Sequence, residues 1–264
     1  MEKLSYHNTS YKGVSGLERV LLERIAGSGV SVFGIKEAVR LTGFNRARAH
    51  NLLASLAKKG RVVKVLRNRY CLRETVFENP FAVATRAFVP SYVSFWSALS
   101  FYGFTEQQLH VVQIAATKQF RKVKLREISV QPVTLKPKSF FGYIELNGFA
   151  IASKEKALVD SALNFENAGG FGEFTKCLRN AWKEINKGAF VEFLLKANNR
   201  SLNSRIGYLI EETGLSTSKR LLQKIHAKKS NCFVKLSPKK GSCRNYNKKW
   251  NIIVNDSIEE TQGL

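Results

Sequence analysis

The residues best suited to chemistry lie in one short run, Asn45-Arg46-Ala47-Arg48-Ala49-His50-Asn51. An Arg guanidinium can donate two parallel hydrogen bonds to guanine O6 and N7, and an Asn carboxamide can pair with adenine N6 and N7. Lys58 and Lys59 follow in the same predicted helix, and Arg67, Asn68 and Arg69 fall at a predicted hairpin turn. Cations there suit backbone phosphates, which fix orientation without reading sequence. His50 alone says little, because it fits a core or a surface position equally well. A basic helix face of this kind also suits a module that binds protein rather than DNA.

A helix has to hold that run. NRARAHNLLASLAKKG has helical spacing, with Leu52, Leu53, Leu56 and Ala57 as its apolar stripe. Asn45 is its predicted N-cap and Gly60 its stop. Upstream, GLERVLLERIAGSG predicts a helix through Leu17, Val20, Leu21, Arg24 and Ile25, stopped by Gly27 and Gly29. FGIKEAVRLTG predicts a short second helix through Ile35, Ala38, Val39 and Leu41, ended by Gly43. After Gly60 the period becomes extended, and RVVKVL and RYCLRE read as two short strands. That order is the order of a winged helix-turn-helix, so a DNA-binding domain is expected over residues 1–75. Met1 to Ser15 are polar and are expected to fray. Residues 1–75 carry fifteen Lys and Arg against five Asp and Glu.

The whole chain repeats that imbalance: 43 Lys and Arg against 20 Asp and Glu in 264 residues, a formal net charge of +23. Such a field draws polyanions, and counterion release from a phosphate backbone drives their binding. Double-stranded DNA, rather than a membrane, is the expected partner. No apolar run is long enough to span a bilayer, and the leading residues lack the apolar stretch of a secretion signal. A cytoplasmic location is expected. Cys71, Cys177, Cys232 and Cys243 form no CxxC pair and fit free thiols in a reducing compartment. His226 with Cys232 and Cys243 makes a poor metal set, because structural zinc takes four closely set ligands.

No catalytic set stands out. The phosphate-loop, nucleophile-elbow, zinc-protease and dinucleotide-binding patterns are missing, and acidic residues are few. Glu145, Glu155 and Asp160, near a predicted strand-to-helix junction, bear only a faint likeness to a metal-dependent nuclease. The chain is expected not to be an enzyme and to need no cofactor.

Residues 76–264 predict a second domain. ENPFAVATRAFVPSYVS, broken by Pro80 and Pro90, reads as an apolar connection, and SFWSALSFYGF as a helix ending at Gly103. HVVQIAAT, KVKLREISVQPVTL and SFFGYIELNGFAIA read as strands of a mostly antiparallel sheet. KEKALVDSALNF reads as a helix capped by Ser153. Four further helices are expected, from EFTKCLRNAWKEI to STSKRLLQKIHAKK, and then an extended basic tail. The expected class is α+β: a winged helix-turn-helix, then a mixed α/β domain with a helical C-terminal part. Residues 219–249 hold eleven Lys and Arg and no Asp or Glu. With Arg205 upstream, Lys219, Arg220, Lys224, Lys228 and Lys229 make a candidate second basic surface. A solvated face, a phosphate site and a docking face for an acidic partner all fit it.

Three segments of this second part resemble a known family. PSYVSFWSALSFYGFTEQ, IASKEKALVDSAL and LNSRIGYLIEETG resemble, in order, three signatures of AbiEi-type antitoxins. RNRYCL fits that family's wing, with Asn68 where glycine is usual. The likeness spans roughly residues 15–215. It implies the antitoxin of a type IV toxin–antitoxin system, with an N-terminal winged helix, an α/β antitoxin domain and a role in phage resistance. It implies autorepression through promoter inverted repeats, and neutralisation of a nucleotidyltransferase toxin, functionally or by direct contact. The signature residues also have plain structural readings: Tyr102-Gly103 as a helix end, Lys154, Glu155 and Lys156 as a polar first turn, and Lys156 with Asp160 as an i,i+4 ion pair. Arg205, Tyr208 and Glu211 fit a packing set or a partner surface.

Overall fold

Ser15 begins the first helix with a reciprocal cap. Its Oγ accepts from the Glu18 N–H at 3.4 Å, and Glu18 Oε2 accepts from the Ser15 N–H at 2.6 Å. The computed structural model describes residues 13–107, 110–126, 128–241 and 245–258; residues 1–12 and Cys243 lie outside the described residues. Within the described part, Ser15 is a cap and not a frayed end.

Helices α1 (Gly16–Gly27), α2 (Ile35–Thr42) and α3 (Arg46–Lys58) lead into a hairpin of β1 (Val62–Leu66) and β2 (Arg69–Leu72). The predicted stops hold: Gly43 takes the left-handed conformation at φ 71 that a helix C-terminus favours. Leu21, Ile25, Phe33, Ala38, Leu53 and Leu56 form the centre of this unit's core. Leu17 and Val20 share the helical spacing of α1 yet stay exposed, because Glu18, Leu21, Leu22 and Ile25 take its buried face. Phe33 adds a one-residue third strand by exchanging backbone hydrogen bonds with Tyr70 at 2.7 and 2.8 Å.

The first unit does not end at residue 75. Two short helices, α4 (Arg73–Glu78) and α5 (Pro80–Ala87), continue it, and the boundary falls between Ala87 and Phe88. The stretch expected as a connection is therefore partly helical. Asn79 Oδ1 accepts from the Ala82 N–H at 3.0 Å, and Pro80 sits where its missing N–H costs nothing. An Asn-Pro pair opens a helix as readily as it breaks one.

The second unit is built on a six-stranded sheet of β3 (Ser91–Val93), β4 (Val111–Ala116), β5 (Val123–Leu125), β6 (Ile128–Thr134), β7 (Tyr143–Leu146) and β8 (Phe149–Ala152), in the order β5-β6-β4-β3-β8-β7. It is mixed. The pairs β5–β6, β3–β4 and β7–β8 are antiparallel, but β4–β6 and β3–β8 are parallel. Alternation in a sequence marks a strand and says nothing about its partner's direction, so the central parallel pairs were not legible.

Helix α6 (Phe95–Phe101) follows β3, and α7 (Lys154–Leu163) follows β8. Helices α8 (Phe171–Ala181), α9 (Lys187–Lys196), α10 (Arg200–Glu212) and α11 (Lys219–His226) come next. The basic tail folds back as a small sheet of β9 (Val234–Lys235), β10 (Tyr246–Asn247) and β11 (Ile252–Ile253), ordered β10-β11-β9. Gly207 on α10 makes room for the Trp250 ring: a Cβ there would lie 2.1 Å from it. The fold as a whole is α+β. No helix among the described residues is long and apolar enough to cross a membrane.

Candidate nucleic-acid interface

Helix α3 divides cleanly. Ala49, Leu53 and Leu56 are buried, while Asn45, Arg46, Arg48, His50, Asn51 and Lys58 are exposed. Asn45 caps the helix, its Oδ1 accepting from the Arg48 N–H at 2.8 Å. That oxygen is therefore occupied, and only the amide donors of Asn45 remain for another partner. The first turn contains no acidic residue but carries two arginines. Cations at the positive end of a helix dipole cost about 0.3–1 kcal/mol each. Helix stability does not explain Arg46 and Arg48; an anion in front of them would. Neither has an ion-pair partner among the described residues. Arg48 lies 6.0 Å from the Phe44 ring, and a shallow hollow of about 600 Å³ beside it is lined by Asn45, Arg48, Asn51 and Ser55.

The far end of α3 behaves differently. Lys59, expected to face phosphate, places its Nζ 2.6 and 2.9 Å from the two carboxylate oxygens of Glu18. Ser55 Oγ donates to the same carboxylate at 2.6 Å. Burial pushes the Glu18 carboxyl up, but the hydrogen bonds from Lys59, Ser55 and Ser15 outweigh it and bring it down to about 2. Lys59 thus ties α3 to α1 and is not a free cation. Glu18 was detectable in the sequence as the fourth residue of a Ser-x-x-Glu cap; its long-range partners were not.

The hairpin tip is also tied down. Asn68 adopts φ 56, the left-handed region that Asn tolerates better than other side chains, so it fills the role of glycine. Its Oδ1 accepts from the Ile35 N–H at 3.1 Å, and its carbonyl lies against Gly34, where a Cβ would approach to 2.7 Å. The candidate reader Asn68 is a strut between hairpin and α2. Arg69 is half-buried and donates from Nη1 to the Arg86 carbonyl at 2.8 Å. Arg67 remains exposed. Lys36, Arg40 and Lys64 are exposed as well and belong to the same basic unit, though no sequence motif distinguishes them.

In the second unit the signature residues are mostly internal. Lys156 lies in the first turn of α7 but turns inward: it is 1% exposed and Asp160 is fully buried. Lys156 Nζ donates to Asp160 Oδ1 at 2.5 Å and to the Ser139 carbonyl at 2.9 Å. Tyr92 Oη and Ser94 Oγ donate to Asp160 Oδ2 at 3.0 and 2.8 Å. Burial raises the Asp160 carboxyl against the opposing pull of Lys156 and the two hydroxyls. Each charge is thus compensated, and the cluster joins β3, α6 and α7. The faint nuclease set does not assemble. Asp160 is enclosed, Glu155 Oε1 accepts from the Asn186 N–H at 2.8 Å, and Glu145 is exposed on β7. No group of three or more metal-binding side chains occurs among the described residues. His226 packs edge-on against Trp250, with its Nε2 3.0 Å from the Lys249 carbonyl.

Of the candidate second basic surface, Lys219, Arg220, Lys224 and Lys228 are exposed. Arg205 is half-buried, its Nε donating to the Lys235 carbonyl at 2.8 Å, and burial pushes its guanidinium down. Lys229 Nζ donates to the Lys249 carbonyl. Tyr208 is buried, and Glu211 holds Lys249 and the Trp250 indole N–H at 2.5 and 2.8 Å, a packing set.

No protein-family profile matches this chain, and no curated protein matches it. Among solved structures, the chain is similar to the crystal structure of the RV2827C protein from Mycobacterium tuberculosis, with a TM-score of 0.61 at 13% identity over 90% of this chain and 91% of that one, a likeness of fold alone.

Proposed function

We propose that the first unit is a winged helix-turn-helix that reads double-stranded DNA with α3, and that the chain is a repressor of the antitoxin type. The observation that carries this reading is the open first half of α3: Arg46, Arg48, His50 and Asn51 are exposed, with two arginines at a helix start that have no ion-pair partner among the described residues. In a helix-turn-helix those are the positions that enter the major groove. The net charge of +23 supplies the sequence-independent part of the affinity. Arg67 at the hairpin tip and Lys58 at the end of α3 are the phosphate contacts in this reading. Lys59, Asn68 and Arg69 hold the scaffold.

Neutralisation of a nucleotidyltransferase toxin rests on the resemblance of the three signature segments. It belongs in this reading to the second unit, whose signature residues are internal and so maintain its fold.

Footprinting of the DNA upstream of the gene tests the first part. The Arg46→Ala/Arg48→Ala variant loses protection of the inverted repeat, since each bidentate contact contributes about 1–3 kcal/mol of discrimination. Undiminished protection by that variant, with an unchanged melting temperature, refutes the assignment of α3. Co-expression of residues 88–264 with the neighbouring gene product tests the second part, and continued toxicity refutes it.

A further inference from the structure

Residues 219–249 contain eleven Lys and Arg and no Asp or Glu. The fold neutralises part of that charge: Lys249 pairs with Glu211 at 2.5 Å, Lys240 with Asp256 at 2.5 Å and Lys239 with Glu166 at 3.0 Å. Lys219, Arg220, Lys224, Lys228 and Lys248 are exposed and have no ion-pair partner among the described residues.

Two aromatic side chains lie open in the same stretch. Phe233 is 45% exposed and Tyr246 is 52% exposed. Their rings meet edge to face, with centroids 5.3 Å apart and planes at 77°. Phe233 immediately precedes β9 and Tyr246 begins β10, the two outer strands of the small sheet. The same sheet region buries Trp250 completely against Gly207 of α10. The unit can therefore enclose an aromatic from this segment, and leaves these two in water. Lys248 lies two residues beyond Tyr246, in the turn that follows β10, and is exposed, whereas Lys235 on β9 is half-buried and donates from Nζ to the Lys240 carbonyl at 3.2 Å.

We propose that this face binds single-stranded nucleic acid, with bases stacking on Phe233 and Tyr246 and phosphates held by the exposed Lys228 and Lys248. The cations select a polyanion. The rings select one with unpaired bases, because the bases of a duplex are stacked on one another and cannot lie on a protein ring. An acidic protein surface would satisfy the lysines and leave both rings without a planar partner. The site is independent of α3 and goes beyond duplex reading.

The test uses the full chain carrying Arg46→Ala and Arg48→Ala, so that α3 is silenced. Anisotropy is measured with labelled oligo-uridine, oligo-thymidine and a duplex of matched length. The single strands bind more tightly than the duplex. Adding Phe233→Ala and Tyr246→Ala weakens single-strand binding by about tenfold or more, as expected for lost base stacking, with little change for the duplex. The ratio of uridine to thymidine affinity distinguishes RNA from DNA as the source. Unchanged single-strand affinity in the alanine variant, or equal loss for both forms, overturns the proposal. A Tyr246→Trp variant gives a second readout that survives poor folding of the alanine variant: oligonucleotide quenches its added fluorescence, and no quenching at saturation overturns the stacking site. Because α3 is mutated throughout, failure here leaves the duplex-reading proposal standing, and failure of that proposal leaves this one.

Discussion

Replacing Glu18 by Gln removes one negative charge from the point where α1 and α3 meet. The Glu18 carboxylate is 2% exposed and lies within hydrogen-bond distance of Lys59, Ser55 and the Ser15 N–H. Its ionisation falls from the ordinary 4.5 to about 2 in the fold. At 1.36 kcal/mol per tenfold change, that gap corresponds to roughly 3 kcal/mol at neutral pH. Lys59 is 38% exposed, so solvent screens its contribution, and about 2 kcal/mol is the better figure. The carboxyl is more acidic folded than unfolded, so its contribution is complete above about pH 4.5 and fades as the pH falls towards 2. Hydrogen exchange of peptides from α1 and α3, at graded denaturant, reports this unit separately from the tryptophans, all three of which lie beyond Ala87. Glu18→Gln costs about 2 kcal/mol at pH 7, and the difference from the parent chain closes as the pH approaches 2. A cost independent of pH over that window would mean that packing, not ionisation, holds the two helices. No cost at pH 7 would mean that the Lys59 contact contributes nothing, and that Lys59 is available to a ligand after all.

Two further predictions concern the second unit. Lys156→Met leaves Asp160 buried without its cation and costs about 3–5 kcal/mol in chemical denaturation, whereas Lys156→Met with Asp160→Leu costs less than the sum of the single changes; strict additivity refutes the coupling. Gly207→Ala drives a methyl group into the Trp250 ring, so the indole leaves its site and its emission shifts to the red, with a loss of about 1–3 kcal/mol from overpacking; an unshifted spectrum refutes that packing.

Much of the first unit was legible in the sequence. Three helices, their glycine stops, the Asn45 cap and the hairpin follow from local periodicity and capping chemistry, which act over a few residues. The exposure of Arg46 and Arg48 followed from placing the leucines of α3 inside. The roles of Lys59, Asn68 and Arg69 did not follow. Each is settled by a partner distant in sequence, Glu18, Ile35 and Arg86 respectively, and nothing local distinguishes a lysine bound for a carboxylate from one bound for solvent. The α5 helix is not legible in the sequence because a proline within an apolar run fits a break as well as a first helical residue.

The sequence by itself determined the charge, its concentration at the two ends, the identity and extent of most elements, and the i,i+4 spacing of Lys156 and Asp160. Only the tertiary structure decided which of those charges face water. It enclosed Lys156 and Asp160 together, tied Lys59 to Glu18, paired β4 with β6 and β3 with β8 in parallel, and left Phe233 and Tyr246 open. The physical reason is that periodicity records preferences along one chain segment, whereas burial and ion pairing are properties of surfaces that meet only after the chain has folded back on itself.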